Sequence, residues 1–323
     1  MAATESQGKT KLNPMTGHWK LLSLTSLGAV RARGPDALAF LQGQLSADVT
    51  QLAADRSLLA GYHNPQGRVL ALLRLIHVAP GEALLVLPRE LVAAVCTRLS
   101  GFILRSRVAL TDESSAWRLA GLTGATAEGA QLPQASGAVA ARGDTLVVRA
   151  GEAPARWLLA TPAAASAEEA SLGLVGCERG SGELWRHLAI EAGEPEVYAA
   201  TSGEFVAQML NLDALGAIAF DKGCYTGQEV IARAHYRGRV KRRLQRFRTV
   251  EPRELAPGDA AVLTDGRAVR VVDAVRIAGG RCEFLAVAPL IGSGGEATGE
   301  AATPGSDARL EAVPLPLPYA LPD

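Results

Sequence analysis

Cysteine is scarce in this sequence, and long apolar runs are missing. The four cysteines lie at positions 96, 177, 224 and 282 with no CxxC among them, which excludes a disulfide framework and a self-contained zinc site of the usual spacing. So few thiols predict a reducing compartment, the cytoplasm. No apolar run reaches the roughly 18 residues that a membrane span requires, and residues 1–19 contain no apolar signal-peptide segment. We therefore expect no membrane association.

An excess of charge of one sign is also missing. The chain has 33 basic and 33 acidic side chains, so its surface as a whole cannot attract nucleic acid, and any such role requires a local patch. A length of 323 residues predicts two or three domains at about 150 residues each. Apolar residues make up 48% and charged residues 20% of the chain, which excludes a wholly disordered protein.

The first part of the chain has the pattern of an α+β fold. Strand-like runs at 57–63 and 68–78 flank Asn64-Pro-Gln-Gly67, a sequence typical of a type I turn. A third strand is predicted at 83–87, and helices are predicted after Pro35 and at 89–99. This order indicates helices on one face of an antiparallel sheet. Further strands are predicted at 117–122, 145–149 and 157–160, and further helices at 163–172 and 183–191.

The last part of the chain has a different character. Short β-branched runs separated by Gly, Pro and Asp predict a small β-barrel or sandwich, with strands at 261–264, 268–277 and 282–288. Residues 292–308 are rich in Gly, Ala, Ser and Glu, which predicts a flexible surface loop. We expect a disordered tail at 1–19, an α+β body of two interleaved subdomains at 20–248 and a C-terminal β-barrel at 249–323.

Residues 220–243 carry the strongest signs of chemistry. Thr226-x-x-Glu229 before an apolar run has the form of a capping box, which predicts a helix starting near 227. Cys224 would then precede a helix N-terminus, where partial positive charge favours the thiolate. The ammonium of Lys222 would strengthen that field. Only five of the 33 basic residues are lysine, which indicates a need for a compact ammonium at this position.

The same residues also have a purely structural interpretation. Gly223 and Gly227 permit close approach of the backbone to a ligand or to another segment, or they simply form a turn. Cys224 is then either a reactive thiol or a small buried packing residue. No histidine stands at a spacing that demands a Cys–His dyad. The sequence leaves both interpretations open.

Basic residues dominate the segment that follows, with no acid between Glu229 and Glu251. In a chain of balanced charge this local excess predicts an anionic partner, either RNA phosphate or the glutamate tail of a folate. A solvated helix face followed by an edge strand charged against aggregation would give the same composition. The candidate anion or RNA patch consists of Arg233, Arg237, Arg239, Lys241, Arg242 and Arg243.

Residues 222–229, Lys-Gly-Cys-Tyr-Thr-Gly-Gln-Glu, closely resemble the signature of the YgfZ family of folate-binding proteins. Further similarity lies at 40–49, 190–195 and 314–320, so the resemblance spans roughly residues 20–320. It makes Cys224 the functional cysteine, with Lys222 as a second candidate. The remaining motif residues are Gly223, Tyr225, Thr226, Gly227, Gln228 and Glu229.

The resemblance implies the three-domain fold of the aminomethyltransferase of glycine cleavage. That fold has a ferredoxin-like part and a C-terminal β-barrel around a central channel for tetrahydrofolate. Trp185 matches an aromatic residue associated with folate, and Leu27 stands where the family has its other folate-associated tryptophan. Glu191 falls where the transferase fold places a carboxylate against the pterin, and a carboxylate can accept two parallel hydrogen bonds there. Trp185 and Glu191 could equally be a core aromatic residue and a charge at a helix C-terminus.

The resemblance further implies a tetrahydrofolate-binding accessory protein for iron–sulfur cluster assembly or repair, with indirect effects on tRNA modification. Its expected partners are folate and iron–sulfur client or carrier proteins. Because a cluster is held by several ligands, a single thiolate would share it only transiently with a partner. No resident metal is expected.

Two alternatives remain from the sequence. A folate-dependent one-carbon transferase would need an acid in segment 67–74, which has none. A direct tRNA-binding or tRNA-modifying protein would use the basic patch, and its binding would weaken steeply with salt.

Overall fold

Three sheets organise the part of the chain that the structure describes. The structure is a computed structural model that describes residues 18–124, 132–151, 153–174, 176–238, 240–290 and 309–322. Most of the predicted tail, the loop predicted at 292–308 and Arg239 of the basic patch lie outside the described residues. In chain order the strands are β1 (Trp19–Ser23), β2 (Leu27–Arg33), β3 (Leu58–His63), β4 (Val69–Ala79), β5 (Glu82–Pro88), β6 (Ala109–Asp112), β7 (Trp117–Gly124), β8 (Val139–Arg142), β9 (Thr145–Gly151), β10 (Arg156–Pro162), β11 (Glu178–Gly180), β12 (Arg242–Thr249), β13 (Ala260–Val262), β14 (Ala268–Arg276), β15 (Cys282–Pro289) and β16 (Ala312–Leu315). The α-helices are α1 (Ala37–Gln42), α2 (Val92–Ser100), α3 (Glu168–Leu172), α4 (Gly182–Glu191) and α5 (Gln228–Tyr236).

The first sheet has the strand order β3-β4-β5-β2-β6 and is antiparallel throughout. Its central hairpin is the one predicted from the sequence, and the Gly67 N–H donates to the Asn64 carbonyl at 2.9 Å to close the turn. The register places Leu59, Arg74 and Val86 in one row across three strands. Side chains in such a row share a face of the sheet, so a charged residue stands between two apolar ones.

The second sheet packs face to face on the first. Its order is β11-β1-β7-β10-β9-β8, and β1 and β11 are its parallel pair. Ile76 and Leu84 of the first sheet share one apolar core with Leu22 and Leu158 of the second. Each fully buried side chain of this size contributes roughly 1.5–3 kcal/mol. This shared core fixes the distance between the two sheets.

The third sheet closes into the small barrel that the sequence predicts. Its order is β13-β14-β15-β12-β16, and Leu310 bridges its two edges. The Leu310 N–H donates to the Val262 carbonyl at 2.8 Å, while the Thr264 N–H donates to the Leu310 carbonyl at 3.3 Å. Phe247 and Phe284 stack inside it with ring centroids 5.4 Å apart. The fold is therefore α+β with a C-terminal barrel.

A buried carboxylate joins the barrel to α4. Asp273 of β14 is 1% exposed and pairs with the guanidinium of Arg186. It also accepts the Tyr198 hydroxyl at 3.0 Å. A buried charge is stable only when it is paired and hydrogen-bonded, so this contact fixes the position of α4 and of the segment that follows it.

Two elements are shorter than expected. The helix predicted at 163–172 begins only at Glu168, because the carbonyls of Ala163, Ala165 and Ser166 accept hydrogen bonds from the guanidinium of Arg118 instead. In segment 314–320, which is similar to the terminal strand of the family, the strand ends at Leu315. Prolines at 316 and 318 have no N–H to donate, so the ladder stops there.

No helix in the described part of the chain is long and apolar enough to cross a membrane.

Candidate functional site

A cavity lies between the first two sheets, beside α4. Four strands of the first sheet contribute to its wall, and Leu158 faces them from the second sheet. Trp185 comes from α4, while Glu194 and Glu196 come from the segment directly after that helix. The cavity therefore combines apolar sheet surfaces with an aromatic ring and carboxyl groups.

Trp185 and Leu27, two of the predicted folate residues, both line this cavity. The Trp185 ring lies against the backbone of Gly121 in β7, where an added Cβ would be only 2.4 Å from its Cε3 atom. The guanidinium carbon of Arg156 lies 5.1 Å from the ring centroid, within the range of a cation–π contact. The absent side chain at Gly121 and the cation together hold the indole in the wall.

Two arginines and two glutamates bring charge into the cavity: Arg74, Arg156, Glu194 and Glu196. Arg156 is 1% exposed, and its Nη2 lies 2.7 Å from a carboxylate oxygen of Glu194. Burial lowers the pKa of Arg74 and raises the pKa of Glu196 to about 8. Glu196 therefore holds its proton at neutral pH, and the cavity presents a neutral carboxylic acid beside an ion pair.

Replacing Glu196 by Gln should change how stability depends on pH. Because its folded-state pKa is raised from 4.5 to about 8, the folded protein holds a proton that the unfolded chain releases in that window. The stabilisation by this proton is fully present below the pKa of the unfolded state. It is lost as the pH rises through the pKa of the folded state. In Glu196→Gln we expect the slope of unfolding free energy against pH to shrink by up to ~1.4 kcal/mol per pH unit in that window. Urea denaturation across the window measures it.

Glu251→Gln, at an exposed position, controls for the loss of one carboxyl group. An unchanged slope in Glu196→Gln would contradict the proton assignment.

Glu191 is not among the residues that line this cavity, and its predicted place against a pterin stays a prediction. Its carboxylate lies 3.7 Å from Arg246 and 4.0 Å from His187. Both of those side chains also contact Glu283, at 2.8 and 3.1 Å. Although His187, Glu191 and Glu283 could reach one metal ion together, Arg246 already supplies the positive charge at this cluster. The carboxyl groups that face the cavity come three and five residues later.

The motif loop, residues 222–227, is held by Lys222 and Tyr225. The Lys222 ammonium donates to the carbonyls of Gln42, Leu45 and Ala47 at 2.7, 2.8 and 2.7 Å. Burial lowers the pKa of this amine to about 8. Tyr225 is buried, and its ring centroid lies 5.2 Å from the Lys222 nitrogen. With all three N–H groups engaged by carbonyls, Lys222 anchors the loop to the end of α1.

Cys224 stands between these two anchors and is exposed. An added Cβ at the neighbouring Gly223 would meet no atom within 4 Å, so the thiol lies on an open part of the surface. The packing interpretation of Cys224 is therefore wrong. The two anchored residues point inward, and the cysteine is presented to solvent.

The capping box predicted at Thr226 does not form. Gly227, with φ +83°, is the N-cap of α5, and no side chain caps the helix. An added Cβ there would lie 2.6 Å from the Asn64 carbonyl oxygen, so only glycine allows the loop to contact the hairpin turn this closely. Glu229 pairs with Arg233 at 3.1 Å instead, and the Gln228 amide donates to the Lys222 carbonyl at 3.3 Å.

Replacing Lys222 by Met should release the motif loop. Three carbonyls would lose their donor, and each buried unpaired polar group costs about 1–3 kcal/mol. We expect lower stability and faster amide hydrogen exchange at residues 42–47 and 222–227, measured by mass spectrometry. Lys241→Met, at an exposed lysine, is the matched control. Unchanged exchange at both segments would show that Lys222 does not anchor the loop.

The loop that carries the thiol and the cavity contact different parts of the β3–β4 hairpin. Gly227 packs on the turn between β3 and β4, whereas Leu59 and Arg74 of the same strands line the cavity. Five residues separate Leu59 from Asn64, about 16 Å of extended strand. Cys224 is not among the lining residues, so these are two sites on one rigid element.

The basic patch is only partly available at the surface. Arg243 is buried and forms a two-point pair with Asp213 at 2.9 and 3.0 Å, so its assignment to an anion patch is wrong. Arg242 is half-buried and donates to the Ala268 carbonyl at 3.3 Å. The exposed members in the described part of the chain are Arg233, Arg237 and Lys241.

Four cavity residues escaped the sequence analysis: Arg74, Arg156, Glu194 and Glu196. A signal was present for Arg74, because it is the one arginine within β4, whose other residues are apolar apart from His77. Glu194 lies within the similar segment at 190–195, and Glu196 directly follows it. These four residues come together only because the two sheets pack on each other. No local sequence pattern predicts that packing.

Curated relatives and a solved structure resemble this chain. It is 36% identical over 230 residues to the tRNA-modifying protein YgfZ of Serratia proteamaculans, covering 69% of each chain. Identity to the tRNA-modifying protein YgfZ of Escherichia coli is 35% over 236 residues, covering 69% of this chain and 70% of the relative. A comparison with models of protein families gives no match.

The crystal structure of the glycine cleavage system aminomethyltransferase T of Bartonella henselae has the same fold. The TM-score is 0.66 at 17% identity, with 85% of this chain and 79% of that chain covered. The three-domain aminomethyltransferase-like fold expected from the sequence is thereby confirmed.

Proposed function

This chain belongs to the YgfZ family, and on that premise we propose that it binds tetrahydrofolate in the cavity beside Trp185. We further propose that it acts in the cytoplasm as an accessory protein for iron–sulfur cluster assembly or repair, with indirect effects on tRNA modification. The observation that carries the folate proposal is the lining of the cavity, whose volume is about 80 Å³ in this structure, so that the two sheets must separate slightly to admit the pterin ring. It joins an aromatic wall, apolar sheet surfaces and carboxyl groups at the junction of two sheets.

The chemistry of the cavity suits a pterin ring. Trp185 offers an aromatic face, and a flat heterocycle gains from stacking on it beyond the burial of its area. The ring N–H and exocyclic amine of a pterin are donors, and Glu194 and Glu196 supply acceptor oxygens. Arg74 and Arg156 supply donors for a ring carbonyl. Leu27 replaces an aromatic side chain with an aliphatic one, so Trp185 carries the stacking contact.

Cys224 supplies the reactive group in this proposal. Of the other three cysteines, Cys96 and Cys177 are half-buried and Cys282 is buried. In the described residues no second cysteine is grouped with Cys224 as a set of metal ligands. One thiolate cannot hold a cluster alone, so Cys224 would bind a cluster transiently, as cargo, together with ligands of a client or carrier protein. Its exposure favours such an encounter.

We do not propose one-carbon transfer. Segment 67–74 contains no acid that could orient or activate an amine. The cavity carboxyls come from the segment after α4.

Tetrahydrofolate binding should depend on the cavity residues and not on Glu191. We expect Trp185→Ala to weaken binding about tenfold or more, because a stacking surface is lost, and Glu196→Ala to weaken it as well. Isothermal titration with tetrahydrofolate under anaerobic conditions measures both. Glu191→Ala, outside the cavity, is the control and should bind like the wild type. Full affinity in Trp185→Ala would place folate elsewhere.

The thiol has its own test, in a strain that lacks its endogenous YgfZ-family protein. Wild type should restore the activities of iron–sulfur enzymes, whereas Cys224→Ala and Cys224→Ser should not, because the nucleophilic and ligating sulfur is lost. Cys177→Ala is the matched control and should restore them. Full restoration by Cys224→Ala would remove the thiol from the mechanism, whatever the result of the folate titration.

A further inference from the structure

Three aromatic rings cluster on the surface at the C-terminal end of α5. Phe220 and His235 stack with ring centroids 3.8 Å apart and an interplanar angle of 15°. Tyr236 stands edge-on to both, at 6.2 and 4.7 Å, and is 68% exposed. The proposed folate and thiol functions use none of these rings.

Helix α5 buries little apolar surface against the core and gains little stability from it. Ile231 is its one buried residue, while the apolar Val230 is 38% exposed. Most helices in proteins are stabilised by burying an apolar face. A helix that leaves aromatic and apolar groups in solvent has an outer face suited to a partner.

The charges around the rings favour an anionic partner. Arg233, Arg237 and Lys241 are exposed on the same segment. Glu229 forms an ion pair with Arg233 at 3.1 Å. In the part of the chain that the structure describes, Arg237 and Lys241 form no ion pair within 4 Å. Asp221, an exposed acid, precedes this segment directly after Phe220. Two cations are thus left for a ligand.

A cavity of about 440 Å³ opens beside His235. Ala234, Val240 and Leu290 give it apolar walls, and the paired Arg243 and Asp213 form a polar part of its lining. An unpaired base that turns away from its neighbours could enter this cavity. A base paired inside a duplex could not.

We propose that the α5 surface, formed by Phe220, His235, Tyr236, Arg233, Arg237 and Lys241, binds a single-stranded segment of RNA. Bases stack on Tyr236 and His235, and Arg237 and Lys241 contact phosphates. Exposed aromatic rings interleaved with cations are the arrangement by which proteins hold unpaired nucleotides, since every base has a face that stacks. An acidic peptide would use the cations but gain little from the flat ring faces. RNA is favoured over DNA because the relatives are named tRNA-modifying proteins.

The proposal is independent of folate binding and is tested by fluorescence anisotropy. The probe is a fluorescein-labelled single-stranded RNA of mixed sequence, about 12 nucleotides long. Tyr236→Leu keeps the apolar bulk and removes the aromatic face, so we expect affinity to fall about fivefold or more. The double variant Arg237→Gln/Lys241→Gln should weaken binding and reduce the slope of log K against log salt by about 1.4.

Matched controls come from another exposed surface. Phe102→Leu replaces an aromatic ring that is 46% exposed, and Arg105→Gln replaces an exposed cation; both should bind RNA like the wild type. Tyr236→Leu should keep its melting temperature and its tetrahydrofolate affinity, so that a failure here is separate from a failure of the folate proposal.

Four results would overturn the proposal. They are no binding of the RNA by wild type at low salt, equal affinity of Tyr236→Leu and wild type, equal affinity for a duplex of the same sequence, or equal affinity for the corresponding single-stranded DNA. Equal affinity of Tyr236→Leu would indicate an apolar docking surface for protein instead.

Discussion

The pairing of a buried arginine of the second sheet with a glutamate of the segment after α4 is the constraint on which the folate proposal depends. Arg156 is almost fully buried against Glu194, and burial shifts the titration of both Arg74 and Glu196. Removing charges from water is costly, and a lone buried ion is not tolerated. The two sheets and the segment after α4 must therefore hold these four side chains in a fixed arrangement, and a site of mixed polarity persists where an apolar core would otherwise close.

Close backbone contacts keep that arrangement in place. Gly121 lets the Trp185 ring lie on β7, and the Arg186–Asp273 pair fixes the helix that carries the ring to the barrel. Helix α4 is thus positioned by two contacts, one with the second sheet through Trp185 and one with the third sheet through Arg186. A change in the barrel can reach the cavity through this helix, although no barrel residue is among those that line it.

The sequence predicted those features that depend on neighbours along the chain. The hairpin follows from two alternating runs around Asn64-Pro-Gln-Gly67, and the barrel follows from short β-branched runs. The capping box at Thr226 failed because the backbone approaches Asn64 so closely that the helix must begin after glycine. Arg243 was misplaced for a related reason. Its partner Asp213 is 30 residues away, and local composition cannot tell a buried ion pair from a free charge.

The placement of Cys224 explains why a lysine is needed two residues before it. A flexible glycine-flanked loop would not hold a thiol at one position, and a surface ion pair at Lys222 would add little. Three carbonyls converging on one ammonium fix the loop with a single side chain, which a planar guanidinium could not match in geometry. Because the same loop also packs on the β3–β4 turn through Gly227, its position is tied to the hairpin whose strands line the cavity. The thiol is thus held at a fixed separation from the cavity and is open to solvent.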